Sequence, residues 1–343
     1  MILSMTSIAR NGLPGVVLLL LAACEQIPAA PERTAPRKEV TFVVEPALFR
    51  SDDNSGEEVV RSLDVLVFRS ADGIIDAYSR IDAPEGGTIR SISADVSART
   101  ALDWWVVANA PEGALSSIVL EESFLEETTL LSDGSTDHLV MHGSGSFPCP
   151  QAESVAVSLD RYCCKVTLGE VSVDWDDAFA LGSVLLGRVA LINVVGSVPF
   201  SGVPTAGDPW HNRMGPDGSE SAVIRDLTVK DWGGVALSRG IALGVASSLY
   251  CMPNPLSAEE DALTEADWSP RCTRLVVELL IGGVPNWYPI TLPGMRGNTH
   301  YLINRLTVRG PGADAPDRPV VRTGLDYTVS VTPWEDRTVP VGY

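Results

Sequence analysis

Short runs of alternating apolar and polar residues, punctuated by Gly, Pro, Asn and Asp, recur along nearly the whole chain. A period of two puts every second side chain on one face, so each run predicts a half-buried β-strand. Residues 39–44 predict a first strand and residues 63–68 a strongly apolar second one. Asp72-Gly73 then supplies hairpin turn chemistry leading into residues 74–81. Residues 101–109, which carry Trp104, Trp105, Val106 and Val107, predict a buried strand, and residues 138–142, 155–159 and 162–173 continue the pattern. Farther on, residues 189–195, 248–251, 275–281, 288–292 and 301–308 read the same way. The acidic stretches 121–127 and 258–266 predict short surface helices, and residues 196–235 a loop-rich region with room for one short helix. No helical period runs long enough to support a parallel α/β sheet. The pattern predicts an all-β protein of two tandem antiparallel β-sandwich domains, residues 25–160 and 161–343.

The C-terminal pattern stands apart. Leu325, Tyr327, Val329 and Val331 alternate with polar residues as in a half-buried strand. Pro333-Trp334-Glu335-Asp336 interrupts the alternation, which then resumes with Val339, Val341 and Tyr343. Two outcomes fit such a segment. It can pair within its own domain, or it can be donated to a neighbour's sheet, where backbone bonds give affinity and alternate side chains fill pockets.

At the other end, Arg10 precedes an apolar run at residues 16–21, followed by Leu21-Ala22-Ala23-Cys24. The run is too short to span a bilayer and reads as a secretory signal over residues 1–24. A Cys directly after Leu-Ala-Ala reads as a bacterial lipobox, with Cys24 the lipidated residue. Several acyl chains anchor a protein firmly where one holds it weakly. Residues 25–38, rich in Pro, Ala and charge, predict a tether. Glu25 stands where inner-membrane retention signals usually place Asp, so delivery to the outer membrane is expected.

Composition narrows the function classes. The net charge of −19 argues against nucleic acid, whose affinity comes from Lys and Arg on phosphate. A hydrophobic content of 45% is ample for a core. Cys149, Cys163, Cys164, Cys251 and Cys272 remain after Cys24, an odd number. No CxxC pair exists, so structural zinc is not expected. A Cys251–Cys272 disulfide and buried reduced thiols are both open.

Motifs for chemistry are sparse. There is no G-x-S-x-G elbow, P-loop or G-x-G-x-x-G. His138 and His142 have helical ligand spacing, but in a strand their rings would stand roughly 13 Å apart. Acid pairs such as Asp52-Asp53, Glu57-Glu58, Glu126-Glu127 and Asp176-Asp177 are abundant in a chain with 44 acids, where solvated faces explain them. Trp104-Trp105 is a candidate sugar platform, yet Leu102, Val106 and Val107 around it favour core packing. The chain is not expected to be an enzyme or to carry a cofactor.

Several segments together resemble the fimbrillin family, the major fimbrial subunits of type V pili of Gram-negative bacteria. They are the lipobox ending at Cys24, the strand at residues 63–68 with Asp72-Gly73, Val106-Val107-Ala108-Asn109-Ala110, and His142-Gly143-Ser144-Gly145. Next come Arg161-Tyr162-Cys163-Cys164-Lys165-Val166 and Leu249-Tyr250-Cys251-Met252-Pro253-Asn254. Tyr288-Pro289-Ile290, Arg296-Gly297-Asn298-Thr299-His300-Tyr301, Thr307-Val308-Arg309-Gly310-Pro311-Gly312 and Trp334 follow in the family's order.

The resemblance implies transthyretin-like sandwiches and a route of assembly. The lipoprotein precursor would fold with its first strand in place. An Arg-specific protease at the outer membrane would cut the following loop, and the C-terminal strand of another subunit would fill the vacated groove. On this chain the cut falls at Arg50, with Arg61 the second choice, and the donor residues are Val339, Val341 and Tyr343. The partners implied are other copies of the chain, accessory fimbrial subunits, the protease, and the outer membrane through the lipid before processing. Anchor and tip subunits of the same family, and a surface glycan-binding lipoprotein, are the alternative roles.

Overall fold

The computed structural model describes residues 36–44, 56–148, 153–175, 182–205, 207–216, 222–257, 269–318, 320 and 325–333, and these described residues belong to one compact unit. Its first half contains β1 (Arg37–Val44), β2 (Ser62–Arg69), β3 (Ile75–Asp82), β4 (Ser91–Ser97), β5 (Leu102–Ala108), α1 (Glu121–Glu126), β6 (Thr128–Leu130), β7 (Met141–Phe147), β8 (Ser154–Val157) and β9 (Asp160–Arg161). The second half contains β10 (Cys164–Val173), β11 (Val184–Ile192), β12 (Val194–Val195), β13 (Ser197–Pro199), β14 (Trp210–His211) and α2 (Ala222–Thr228). It continues with β15 (Val229–Ala236), β16 (Leu243–Cys251), β17 (Arg274–Ile281), β18 (Val284–Thr291), β19 (Thr299–Val308) and β20 (Leu325–Pro333).

The all-β expectation holds, and each half is built on two sheets. In the first half the sheets run β4-β1-β8 and β3-β2-β5-β7-β9; in the second, β16-β10-β19-β20 and β15-β11-β17-β18. Among the described strands, two pairings depart from the antiparallel expectation. β1 runs parallel to β8, and β10 runs parallel to β19. Neither pair is joined by a hairpin, so turn chemistry in the sequence carries no trace of them.

Three local differences have physical causes. β1 starts at Arg37, inside the expected tether, because the Arg37 guanidinium is held by Asp95 at 2.9 Å and faces Asp76 at 3.7 Å. The expected strand over 138–142 starts only at Met141, because Ser135 and His138 close a tight turn by exchanging backbone bonds. Asp160–Arg161 pairs with β7 as a separate short strand, and the chain enters the second half's sheet at Cys164. The acidic helix is present at Glu121–Glu126, whereas residues 258–266 lie outside the described residues.

One apolar cluster fills the first half between its two sheets, and a larger one runs through the second half and up to the outer face of β2 and β5. Aromatic contacts knit that junction. Phe124 stacks on Phe200 at 5.3 Å, and the Tyr162 hydroxyl donates to the Phe200 carbonyl at 2.9 Å. β6 of the first half pairs with β13 of the second. His142 stacks on Tyr162 with ring centroids 4.2 Å apart, and burial pushes its imidazole down from 6.5 to about 4.

That burial predicts a pH dependence. The unfolded chain takes up the His142 proton at a higher pH than the folded one, so stability is lost as pH falls from about 6.5 toward 4. Thermal midpoints recorded from pH 7 to pH 4 should fall less steeply for His142→Phe than for the native chain. Parallel profiles would contradict this assignment.

Candidate functional site

β1 alternates as its sequence predicts. Val40, Phe42 and Val44 point into the first half's core, and Phe42 is 0% exposed. Its position was not predictable from that alternation: β1 is the middle strand of its sheet, bonded to β4 on one edge and β8 on the other. The walls of the slot are Ile92, Ala94 and Val96 of β4, with Val155 and Val157 of β8. The floor is the facing sheet, with Leu63, Val65 and Val67 of β2 and Trp104 and Val106 of β5. The Phe42 ring meets Trp104 edge-on at 5.5 Å and lies 6.2 Å from Phe147.

Two glycines of the His142-Gly143-Ser144-Gly145 motif shape this floor. A Cβ at Gly145 would come within 2.5 Å of the Trp104 ring, so only glycine lets the indole lie against β7. A Cβ at Gly143 would meet the Ser158 carbonyl at 2.4 Å, where the chain leaving β8 crosses β7. The sequence marks this motif, and the structure gives it a steric reason. Trp104 is thereby buried, and Trp105 packs on Phe124 while its indole N–H donates to Glu121 at 3.0 Å. Neither indole is an open sugar platform.

Burying Val40, Phe42 and Val44 stabilises the first half by roughly 4.5–9 kcal/mol, at about 1.5–3 kcal/mol for each large apolar side chain. Without β1, that apolar floor and the facing edges of β4 and β8 would meet water, which is costly for both side chains and unpaired backbone groups. The slot is therefore a site for a strand, and its chemistry is backbone pairing plus a row of alternate apolar pockets.

Residues 57–61, just ahead of β2, are tied into the fold. Glu57, in a single 3-10 turn at Gly56–Glu58, is buried and accepts hydrogen bonds from Lys165 Nζ at 2.7 Å and from the Tyr250 hydroxyl. Burial, reinforced by the Glu57 carboxylate, raises the Tyr250 phenol far above its usual value and keeps it a donor. Arg61 is half-buried. Its amide donates to Asn109 Oδ1 at 2.7 Å, its carbonyl accepts from Ala83, and its guanidinium donates to the Gly87 carbonyl at 2.8 Å. Asn109, with φ of 62°, also donates to the Val59 and Leu139 carbonyls, both at 2.8 Å. The Val106–Ala110 motif is thus a clamp on the start of β2.

Other motif residues are joints of the same kind. Asn298 donates to Asp160 at 2.6 Å and accepts from the Arg161 amide, tying the second half to β9. Asn254 donates to the Arg271 carbonyl and to Thr273, both at 3.0 Å. Tyr288 donates to the Gly310 carbonyl at 2.9 Å.

Of the sequence-predicted site residues, Arg61 alone falls within the described residues; Cys24, Arg50, Val339, Val341 and Tyr343 lie outside them. The strand expected from Leu325 onward is present as β20, an edge strand on β19, and its last apolar residue, Val331, is 50% exposed. His138 and His142 do not come together: His138 bonds Ser135 at 2.8 Å while His142 stacks in the junction. Among the described residues no three His, Cys, Asp or Glu side chains are gathered as metal ligands. Sequence reasoning missed Glu57, which it read as part of a solvated acid pair; only its distant partners Lys165 and Tyr250 reveal its role.

No protein-family profile matches the chain, and no curated protein sequence matches it. Solved structures do. A protein assigned to cell adhesion from Bacteroides eggerthii superposes with a TM-score of 0.61 at 17% identity, covering 88% of this chain and 97% of the other. A fimbrilin from Porphyromonas gingivalis W83 gives 0.58 at 15% identity, covering 87% and 97%. The tip fimbrial protein Mfa3 from Porphyromonas gingivalis, truncated at its C-terminus, gives 0.50 at 17% identity over 87% and 100%. All three are named for adhesion or fimbrial roles rather than for catalysis. Over 87% of its length, then, this chain has the all-β fold of a fimbrilin.

Proposed function

We propose that this chain is a subunit of a surface fimbria and polymerises by strand replacement. The observation that carries the proposal is the place of β1, a middle strand whose side chains complete a core. Its covalent link to β2 runs through residues 45–61, which contain Arg50 and Arg61. One cut in that link leaves β1 held only by non-covalent contacts.

On this reading the precursor is exported, lipidated at Cys24 and delivered to the outer membrane. An Arg-specific protease cuts after Arg50 and releases residues 24–50 with the lipid on Cys24. The vacated slot then accepts the C-terminal segment of the next subunit. Val339, Val341 and Tyr343 repeat the two-residue spacing of Val40, Phe42 and Val44, with one aromatic in each set. Pro340 lacks an N–H and forfeits one ladder bond in the slot. Because donor and slot are different surfaces of one molecule, the contact does not close on itself and produces a filament. The chain would be a stalk subunit, with copies of itself and accessory subunits as partners.

The bonds around Arg61 favour Arg50 as the cut arginine. A protease needs an extended, accessible stretch, and Arg61 is held through backbone and side chain. Digestion of the folded chain with an Arg-specific protease, followed by N-terminal sequencing, should return fragments beginning at Ser51 and none beginning at Ser62. Glu57→Gln should loosen the segment and admit the second cut. A native chain cut first at Arg61 would refute the assignment.

A further inference from the structure

Of the five cysteines that the sequence leaves unassigned, four lie among the described residues and Cys149 lies outside them. Cys163, Cys164, Cys251 and Cys272 are all buried, and none is bonded to another. Cys251 faces Cys164 rather than Cys272. In the antiparallel ladder of β10 with β16, Cys164 and Cys251 are directly opposed. Opposed residues in such a ladder have Cα atoms roughly 4.5–5.5 Å apart, within the span of about 4.4–6.8 Å that a disulfide bridges. Both side chains are fully buried. The Cys164 thiol also donates to the Arg296 carbonyl at 2.9 Å, and Cys251 sits 3.7 Å from the Met295 sulfur. Cys272, just before β17, has Arg274 and Asp317 as its charged neighbours instead.

We propose that Cys164 and Cys251 are a disulfide site that is oxidised when the chain folds in an oxidising compartment, cross-linking β10 to β16. The chemistry is ordinary thiol–disulfide exchange. One cysteine, as thiolate, attacks a disulfide donor, small-molecule or protein, and one donor sulfur leaves as a thiol. The second cysteine then attacks the mixed disulfide, forming the Cys164–Cys251 bond and releasing the other donor sulfur. The pair gives up two electrons and two protons, and the donor becomes two thiols.

Timing follows from burial. Desolvation holds the Cys164 thiol well above its ordinary value and pushes Cys163 up to about 12. Neither ionises readily in the folded chain, so oxidation belongs to folding rather than to the finished molecule. The bond closes a long loop and therefore constrains the unfolded chain strongly. β10 is an inner strand of the sheet that ends in β20, so the link fixes the sheet from which the C-terminal segment departs.

The test is a disulfide map of the native chain made by export to a bacterial periplasm, with chain made in a reducing cytosol as the control. Free thiols are alkylated under denaturing conditions, and the digest is read by tandem mass spectrometry. The exported chain should yield a Cys164 peptide joined to a Cys251 peptide, with Cys163 and Cys272 alkylated. The link should survive in Cys163→Ala and vanish in Cys164→Ala. Reduction should lower the thermal midpoint by roughly 5–10 °C. Alkylation of both Cys164 and Cys251 in the exported chain, or a link made through Cys163 or Cys272, would overturn the proposal. The result is independent of fibre formation, so it stands or falls apart from the proposed function.

Discussion

Phe42→Ala should destabilise the uncut chain by about 3–5 kcal/mol, the usual cost of emptying a fully buried aromatic site. The same substitution should leave the stability of the cut, polymerised chain unchanged. The Phe42 ring packs against both Trp104 and Phe147. If the strand departs with the cut segment, Phe42 is no longer part of the structure being unfolded. Guanidinium titration of both forms reads the difference. Val43→Thr, on the partly exposed outer face of β1, should change either form by less than about 0.5 kcal/mol. An equal loss before and after cutting would mean that β1 stays in its slot. Weaker retention of β1 also predicts faster polymerisation of the Phe42→Ala chain once cut.

Asp317→Ala should be comparably costly for a different reason. Asp317 is buried beside β17 and takes Arg274 at 2.7 Å and Arg271 at 3.3 Å, while Asn193 donates to it at 3.1 Å. Both guanidiniums are buried as well. Deleting the carboxylate removes a counter-charge shared by two buried guanidiniums, and breaking a buried pair in this way costs about 3–5 kcal/mol. These bonds lie in the second half, away from β1, so the loss should be the same before and after cutting, unlike that of Phe42→Ala. Chemical denaturation measures it, and a loss below about 1 kcal/mol would show that the network contributes little.

The parts of the fold visible in the sequence are those written in local pattern. The alternation of Val40, Phe42 and Val44 announces a one-sided strand, and the run from Leu325 to Val331 announces β20. Asp72-Gly73 marks the β2–β3 hairpin, which forms with Gly73 at a φ of 67°. The pairings that matter most for the site are not local. Thr41 lies beside Ser154, far along the chain, and no turn residue encodes a parallel neighbour. For the same reason Cys251 suggests Cys272, its neighbour in sequence, whereas the ladder sets it against Cys164. Glu57 illustrates the limit for charge. An exposed acid pair and a buried anchor look alike until Lys165 and Tyr250 are brought to it by the fold. Gly143 and Gly145 were recognisable as a motif, but the reason for them lies in Trp104 and the crossing chain at Ser158.

The central claim is that loss of β1 opens a slot which the C-terminal segment of another copy fills. Its most direct test is electron microscopy of the purified chain after digestion with an Arg-specific protease, with Arg50→Ala and a chain ending before Thr338 treated alongside. Filaments should form from the cut native chain only. Arg50→Ala should remain monomeric because β1 stays in place, and the shortened chain should be cut but remain monomeric because it has no strand to donate. Filaments from the shortened chain would contradict donation by Val339, Val341 and Tyr343, and filaments from uncut chain would contradict the role assigned to β1.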